Sequence, residues 1–244
     1  MQPEIKQAVL KFFAASKPGA VLDFPCGTGW LGTSLTDTKW EYHGADLYCQ
    51  PEAAHRVTRF RAADLQQPFP YDDGQFDYLA CLEGLEHIEN YHHVLREAAR
   101  VLRPGGTLLV STPNPLNIKS RRRYYWSGTF YGFPHLINMP PEGSHIHVSP
   151  VNLSFLMAFA GRQGLKFERL HDVSIRKGMY FHLPRVLAVQ AYTWLKTLGK
   201  SPKQRDWFRL LSSSQVCLCD GMVVSFTKQS AAEMSAGLRL HEAA

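Results

Sequence analysis

Long apolar runs are missing from this chain of 244 residues, and so is any cysteine framework. No stretch approaches the roughly 18–20 uninterrupted apolar residues that a spanning helix needs. The N-terminus, Met1-Gln2-Pro3-Glu4-Ile5-Lys6, has no apolar core of the secretory kind. The five cysteines, Cys26, Cys49, Cys81, Cys217 and Cys219, are odd in number and lack framework spacing, which fits a reducing cytosol. Cys217 and Cys219 are expected to alternate along an apolar strand as small buried hydrophobes, not as metal ligands. Repeats and low-complexity tracts are absent as well. These absences argue against a disulfide scaffold, a solenoid and an integral membrane protein. The expected location is cytoplasmic, with peripheral attachment to the inner face of a membrane left open.

What is present suffices for a core. Hydrophobic residues make up 45% and charged residues 20%. One domain spanning residues 1–244, with insertions, is therefore expected. The formal net charge of +6 permits contact with nucleic acid, anionic lipid or acidic metabolites, without choosing among them.

Apolar spacing after an early proline predicts a helix over residues 3–16. Strands are expected at 20–24, 42–47, 59–63, 76–82 and 107–112. Helices are expected at 51–57 and from Leu85 to Leu102, the latter closed by Arg103-Pro104-Gly105-Gly106. Strands alternating with helices imply right-handed crossovers and a parallel sheet. Residues 113–150 break that rhythm with prolines, Arg121-Arg122-Arg123 and aromatics such as Tyr124, Tyr125, Trp126 and Phe130. They read as a lid or acceptor-binding loop. Leu153–Gln163 reads as a helix, Lys166–Val173 as a strand, and Pro184–Leu198 as an amphipathic helix within a helical insertion over 174–215. Val216–Thr227 reads as a strand pair or one long strand, followed by a frayed tail.

The segment Val21-Leu22-Asp23-Phe24-Pro25-Cys26-Gly27-Thr28-Gly29 reads as a buried strand entering a tight glycine turn. Such a turn lets backbone amides approach a ligand closely. Gly27, Gly29 and Gly32 also spell GxGxxG, the dinucleotide fingerprint, and the bland reading is a mere strand-to-helix turn. Asp23 favours a third reading. A carboxylate there suits a ligand carrying positive charge and would repel a pyrophosphate. The ligand this suggests is S-adenosylmethionine. Asp46, Asp64 and Glu83 also fall at or just past strand ends, so four acids converge on one rim, where open α/β sheets bind ligands.

Over about residues 20–175 the chain resembles class I S-adenosylmethionine-dependent methyltransferases. The resemblance rests on the glycine segment and on Gly44-Ala45-Asp46, Ala63-Asp64-Leu65, Phe76-Asp77 and Val101-Leu102-Arg103-Pro104-Gly105-Gly106, in that order. It implies a Rossmann-like, doubly wound, mostly parallel seven-stranded sheet with helices on both faces and an inserted acceptor or lid region. Residues 20–112 would be the cofactor-binding core. Cys81-Leu82-Glu83-Gly84-Leu85-Glu86-His87-Ile88 and Glu142-Gly143-Ser144-His145 are similar to segments of ubiquinone-biosynthesis O-methyltransferases. The arginine-aromatic stretch looks more like methyltransferases of bacterial surface-polysaccharide synthesis. Two positions depart from those patterns. Pro25 replaces the usual first glycine, and Ile146 stands where the quinone enzymes carry an acid.

The resemblance assigns Asp46 to the ribose hydroxyls, Asp64 to the adenine amino group with Leu65 against the ring, and Leu82 and Glu83 to the methionine part. Leu47 belongs to the same set. Asp23 would offset the cofactor's positive charge, Gly27 and Gly29 would admit its backbone contacts, and Asp77 would be structural. The product would be S-adenosylhomocysteine. An alcohol or phenol acceptor must lose a proton as it attacks, and histidine suits that task. His145, His87 and His147 are the candidates, in that order, while His92 and His93 are expected to face solvent. No metal is expected. The acceptor would be a small or lipid-linked molecule, a quinone precursor or a glycan intermediate. A membrane surface is a partner that residues 119–133 fit. Nucleic acid ranks below it, because no RNA-binding module accompanies the loop. A non-catalytic cofactor-binding scaffold and an RNA methyltransferase are the alternatives.

Overall fold

The computed structural model describes residues 1–35, 39–48, 59–133 and 146–235. Its strands are β1 (Ala20–Asp23), β2 (Glu41–Asp46), β3 (Phe60–Ala62), β4 (Phe76–Leu82), β5 (Leu102–Pro113), β6 (Leu165–Leu170) and β7 (Gly221–Lys228). They form one sheet in the order β3-β2-β1-β4-β5-β7-β6. The first five strands pair in parallel. β7 slots antiparallel between β5 and β6. The helices are α1 (Pro3–Ala14), α2 (Trp30–Ser34), α3 (Tyr91–Val101), α4 (Ile118–Ser127), α5 (Leu153–Arg162), α6 (Leu183–Lys196), α7 (Pro202–Leu211) and α8 (Ser214–Leu218).

Successive strand residues point to opposite faces, and this splits the core in two. Val21, Ala80, Leu109 and Val223 pack with Ile5, Val9 and Phe13 of α1. Leu22, Leu79, Leu108 and Val224 pack with Val94 and Leu95 of α3 and Leu156 of α5. Because both faces are covered, β1 is buried along its whole length. Asp77 is structural in plain terms. Its carboxylate accepts from the Ala20 amide at 2.8 Å and pairs with Arg103 at 2.9 Å. No helix among the described residues is long and apolar enough to cross a membrane.

The structure corrects several expected elements. The single helix over Leu85–Leu102 is a 3₁₀ turn, Leu85–His87, followed by α3. The Glu86 carbonyl accepts instead from Val148 and Ser149, at 2.8 and 3.0 Å. Asn90 then starts α3 afresh by capping the His93 amide. His92 and His93 therefore lie in the first turn of α3, and both are half-buried. His92 packs on Phe159 with ring centroids 4.0 Å apart, and His93 meets the Gln67 carbonyl at 2.9 Å. Arg103–Gly106 lie within β5 as an irregularity of its pairing with β4. The strand expected over Val216–Thr227 is α8 and then β7, so Cys217 sits on a helix and Cys219 just beyond it, both buried. Lys228 ends β7, its ammonium donating to the Leu102 carbonyl at 2.6 Å, and residues 236–244 of the expected tail lie outside the described residues. The basic-aromatic loop is helical over Ile118–Ser127, capped by the Asn117 side chain on the Ser120 amide. The expected helix 51–57, Cys49 and residues 134–145, with His145 among them, lie outside the described residues.

Candidate active site

Strand order reverses between β1 and β4, and the ends of β1, β2, β3 and β4 enclose a cavity of about 410 Å³. Such a reversal opens a crevice at the carboxyl ends of strands. The chain leaves β1 still bonded to the sheet, with the Phe24 amide donating to the Ala80 carbonyl and the Cys26 amide to the Ala45 carbonyl, each at 2.9 Å. It then reverses through Gly27, whose φ is +52°. A Cβ at Gly27 would meet nothing within 4 Å. The left-handed backbone, not crowding, is what calls for glycine there. The Phe24–Pro25 peptide is cis. The Pro25 ring lies 2.6 Å from where a Cβ on Gly84 would stand, so the first and fourth strand ends touch across the cavity floor.

The acids of the rim hold this turn. Asp46 accepts from the Gly27 amide through Oδ2 and from the Tyr48 amide through Oδ1, each at 2.8 Å. Asp23 is fully buried behind the turn and receives the Tyr42 hydroxyl at 2.5 Å, while its Oδ1 has no hydrogen-bond partner. Burial pushes its carboxyl up to about 7, the Tyr42 bond works the other way, and the Asp46 charge adds to the rise. Asp64 accepts from the Gln66 amide at 2.9 Å, beside the buried Leu65. Glu83 adopts a φ of +51°, and its Oε2 lies 3.3 Å from the Met1 ammonium.

Gly27, Asp46, Leu47, Asp64, Leu65, Leu82 and Glu83 all line the cavity. Of the remaining expected cofactor residues, Asp23 lies behind the turn and Gly29 starts α2. His87 also lines the cavity, and His147 stands against it, with ring centroids 4.9 Å apart. His87 Nδ1 meets the Ile146 carbonyl and His147 Nδ1 the Gly132 carbonyl, each at 2.9 Å. Carbonyls only accept, so a neutral ring carries its proton on Nδ1 and keeps Nε2 as its basic atom.

Sequence reasoning passed over Glu86. It is fully buried, and burial, with the Glu83 charge adding, pushes its carboxyl up to about 8. Glu86, His87 and His147 each bring a ligand atom within 4.8 Å of the others. This donor set is of the kind that holds divalent cations, where the sequence led to no metal being expected. The missed signal was the acid directly before His87. The structural novelty is His147, which arrives from 60 residues further along the chain.

The residues present fit S-adenosylmethionine. The orphaned Oδ1 of Asp23 is an uncompensated buried acceptor next to the glycine turn, and a cationic ligand offsets it. Glu83 brings a carboxylate to the cavity wall, a partner for the ammonium that the methionine part carries. Leu65, Phe24 and Ile88 supply an apolar wall for a base, with the Asp64 carboxylate beside it.

A family model described as a methyltransferase domain matches residues 1–161. A ubiquinone biosynthesis O-methyltransferase of Dechloromonas aromatica is 28% identical over 163 residues, 63% of this chain and 67% of that protein. Other relatives of the same name are matched over as little as 62% of their length. The chain thus spans about two thirds of the curated relatives it matches. Among solved structures, an S-adenosylmethionine-dependent methyltransferase from Archaeoglobus fulgidus has a TM-score of 0.59 at 13% identity, covering 93% of this chain and 95% of that one. The 1,6-didemethyltoxoflavin-N1-methyltransferase of Burkholderia thailandensis, solved with S-adenosylhomocysteine bound, has a TM-score of 0.55 at 14% identity, covering 93% and 79%.

Proposed function

The chain belongs to the class I S-adenosylmethionine-dependent methyltransferases, and on that premise we propose that it methylates a hydroxyl oxygen of a small or lipid-linked acceptor, with His87 taking the proton. The observation that carries this reading is the placement of His87 on the cavity wall, tied by its Nδ1 to the Ile146 carbonyl so that Nε2 is the basic atom. The relatives' printed names support oxygen as the attacking atom.

S-adenosylmethionine supplies an electrophilic sulfonium methyl when bound. The chain's own residues do the rest. Asp46 would hold the ribose hydroxyls through lone pairs left over from its two backbone contacts. Asp64 and Leu65 would hold the adenine. Asp23 and Glu83 would balance the positive charges, and Gly27 would admit the ligand to its backbone. Alignment and exclusion of water then contribute most of the acceleration. His87 would accept the acceptor's proton as its oxygen attacks, with His147 packed against the ring to fix its orientation. A quinone precursor with a phenolic hydroxyl is one acceptor that meets this description, and a glycan intermediate is another.

Isothermal titration with S-adenosylmethionine, followed by turnover on a panel of phenols and sugar hydroxyls, tests the reading. Asp46→Ala removes charge-assisted hydrogen bonds worth about 1.5–3 kcal/mol each and should weaken cofactor binding at least tenfold. His87→Ala should leave binding intact and lower kcat by roughly 10²–10⁴. Wild-type protein that binds no cofactor would end the proposal. Turnover unchanged by His87→Ala would move the base elsewhere.

A further inference from the structure

Helix α6 buries little of itself. Val189, Gln190 and Thr193 are half-buried, while Arg185, Tyr192 and Lys196 are exposed. Gln190 donates to the Ser212 carbonyl at 3.1 Å, and Thr197 is buried, beside Val186, the one buried apolar side chain of the helix. Its apolar stripe faces outward, with Leu187, Trp194, Leu195 and Leu198 exposed by 55, 59, 58 and 60%. Leu187, Trp194 and Leu195, at i, i+7 and i+8, share one helical face, and Leu198 follows in the turn after the helix. Antiparallel packing does not cover it, because α7 buries no residue of its own.

α4 joins the inward side of α6 through Ile118, which packs with the buried Met179 and Val186. The Arg121 guanidinium donates to the Leu211 carbonyl at the end of α7 at 3.1 Å. Tyr125 and Trp126 of α4 are each 79% exposed. Cations flank the aromatics: Arg185 lies 5.5 Å from the Phe181 ring, Lys196 5.7 Å from Tyr192, and Lys119 6.0 Å from Tyr131. Segments 118–133 and 174–215 hold twelve of the chain's 27 Lys and Arg but one of its 21 Asp and Glu. The remainder of the chain is net acidic, so the positive excess lies in these two segments.

We propose that α6, α7 and α4 form a docking surface for an anionic lipid bilayer, with α6 lying in the plane of the interface. Charge complementarity and apolar area must both be satisfied, and three kinds of occupant can be compared on that basis. A second copy of the chain would set one basic face against another. A single-stranded nucleic acid would use the cations and aromatics, yet would leave the aliphatic row of Leu187, Leu195 and Leu198 in water. A bilayer takes both, as basic residues meet anionic headgroups while Trp, Tyr and Leu enter the acyl boundary. Exposed apolar faces of this extent are uncommon on monomers without a partner. α4 begins shortly after β5 ends, which places the surface beside the same rim as the cavity. The docking surface does not depend on the methyl acceptor's identity.

Co-sedimentation of the full chain with vesicles tests this. Vesicles containing phosphatidylglycerol should retain the protein on the order of tenfold more strongly than phosphatidylcholine alone, and brominated acyl chains should quench Trp194. The variant Leu187→Ser/Trp194→Ser/Leu198→Ser should lose the retention. Arg122→Glu/Lys203→Glu/Arg205→Glu should abolish the preference for anionic lipid. Both should bind S-adenosylmethionine like wild type, which shows them folded. The proposal is overturned if wild-type protein ignores anionic vesicles, or if the serine variant keeps the retention. It is overturned equally if the serine variant instead converts a dimer to a monomer, or if single-stranded RNA binds where vesicles do not.

Discussion

Two opposing demands meet on the carboxyl group of Asp23. Burial disfavours its charge, while the cofactor proposed for the neighbouring cavity carries charge of the opposite sign. In the free protein the first demand raises its pKa from 3.8 to about 7. The folded state therefore holds this proton more tightly than the unfolded state. The stability that comes from the protonated group is complete below about pH 4, declines between about 4 and 7, and is gone above 7. Cofactor binding has the opposite dependence, because a cationic ligand prefers the ionised carboxylate. Affinity for S-adenosylmethionine should fall as pH drops below about 7, with a limiting slope of about tenfold per pH unit. Asp23→Asn should flatten that profile. Titration calorimetry between pH 8 and 5 measures it, and a flat wild-type profile would disconnect Asp23 from the cofactor. The carboxylate was legible in the sequence from its place before the glycines. Its partner Tyr42 was not, since that contact crosses from β1 to β2 and no local pattern announces it.

At the scale of elements, the third glycine of GxGxxG acts through packing. A Cβ on Gly32 would stand 2.5 Å from the Tyr42 ring, where α2 crosses β2. That ring is fixed by its bond to Asp23 and cannot swing aside without breaking it. Gly32→Ala should therefore destabilise by about 1–3 kcal/mol, the usual cost of overpacking. It should weaken cofactor binding as well, because the ring supports the glycine turn. Urea unfolding measures the first effect, and a loss below about 0.5 kcal/mol would mean that helix and strand separate freely. Strands whose apolar residues run together, such as β1 and β4, were readable from their own composition. α4 was not read as a helix, because Arg121-Arg122-Arg123 and the following aromatics show no apolar period. Its signal was the Asn117 cap, which a search for apolar stripes passes over. The break before α3 was hidden for another reason, since the Glu86 carbonyl is taken by Val148 and Ser149, some 60 residues away.

For the whole molecule, acids gather at the cavity rim while the positive excess lies in segments 118–133 and 174–215. The cavity at the strand reversal is open and lined from four strand ends, so the cofactor should tie those ends together. Saturation at about 100 times Kd adds about 2.7 kcal/mol to the folded state. At roughly 2–4 °C per kcal/mol for a chain of this size, thermal unfolding should rise by about 5–11 °C with S-adenosylmethionine. Scanning calorimetry with and without ligand checks this, and no shift at saturation would place the binding site outside the folded core.

By itself the sequence determined the alternation of strands and helices, the acids at the strand ends and the glycine turn, and through them the family and its cofactor. These are properties of chain neighbours, where period, turn chemistry and spacing act locally. Only the tertiary structure decided that β7 enters antiparallel between β5 and β6. It also decided that Glu86 and His87 meet His147, and that the apolar stripe of α6 faces outward. Each of these depends on segments far apart in the chain competing for the same buried surface, and the amphipathic pattern of α6 alone reads the same whichever way the helix faces.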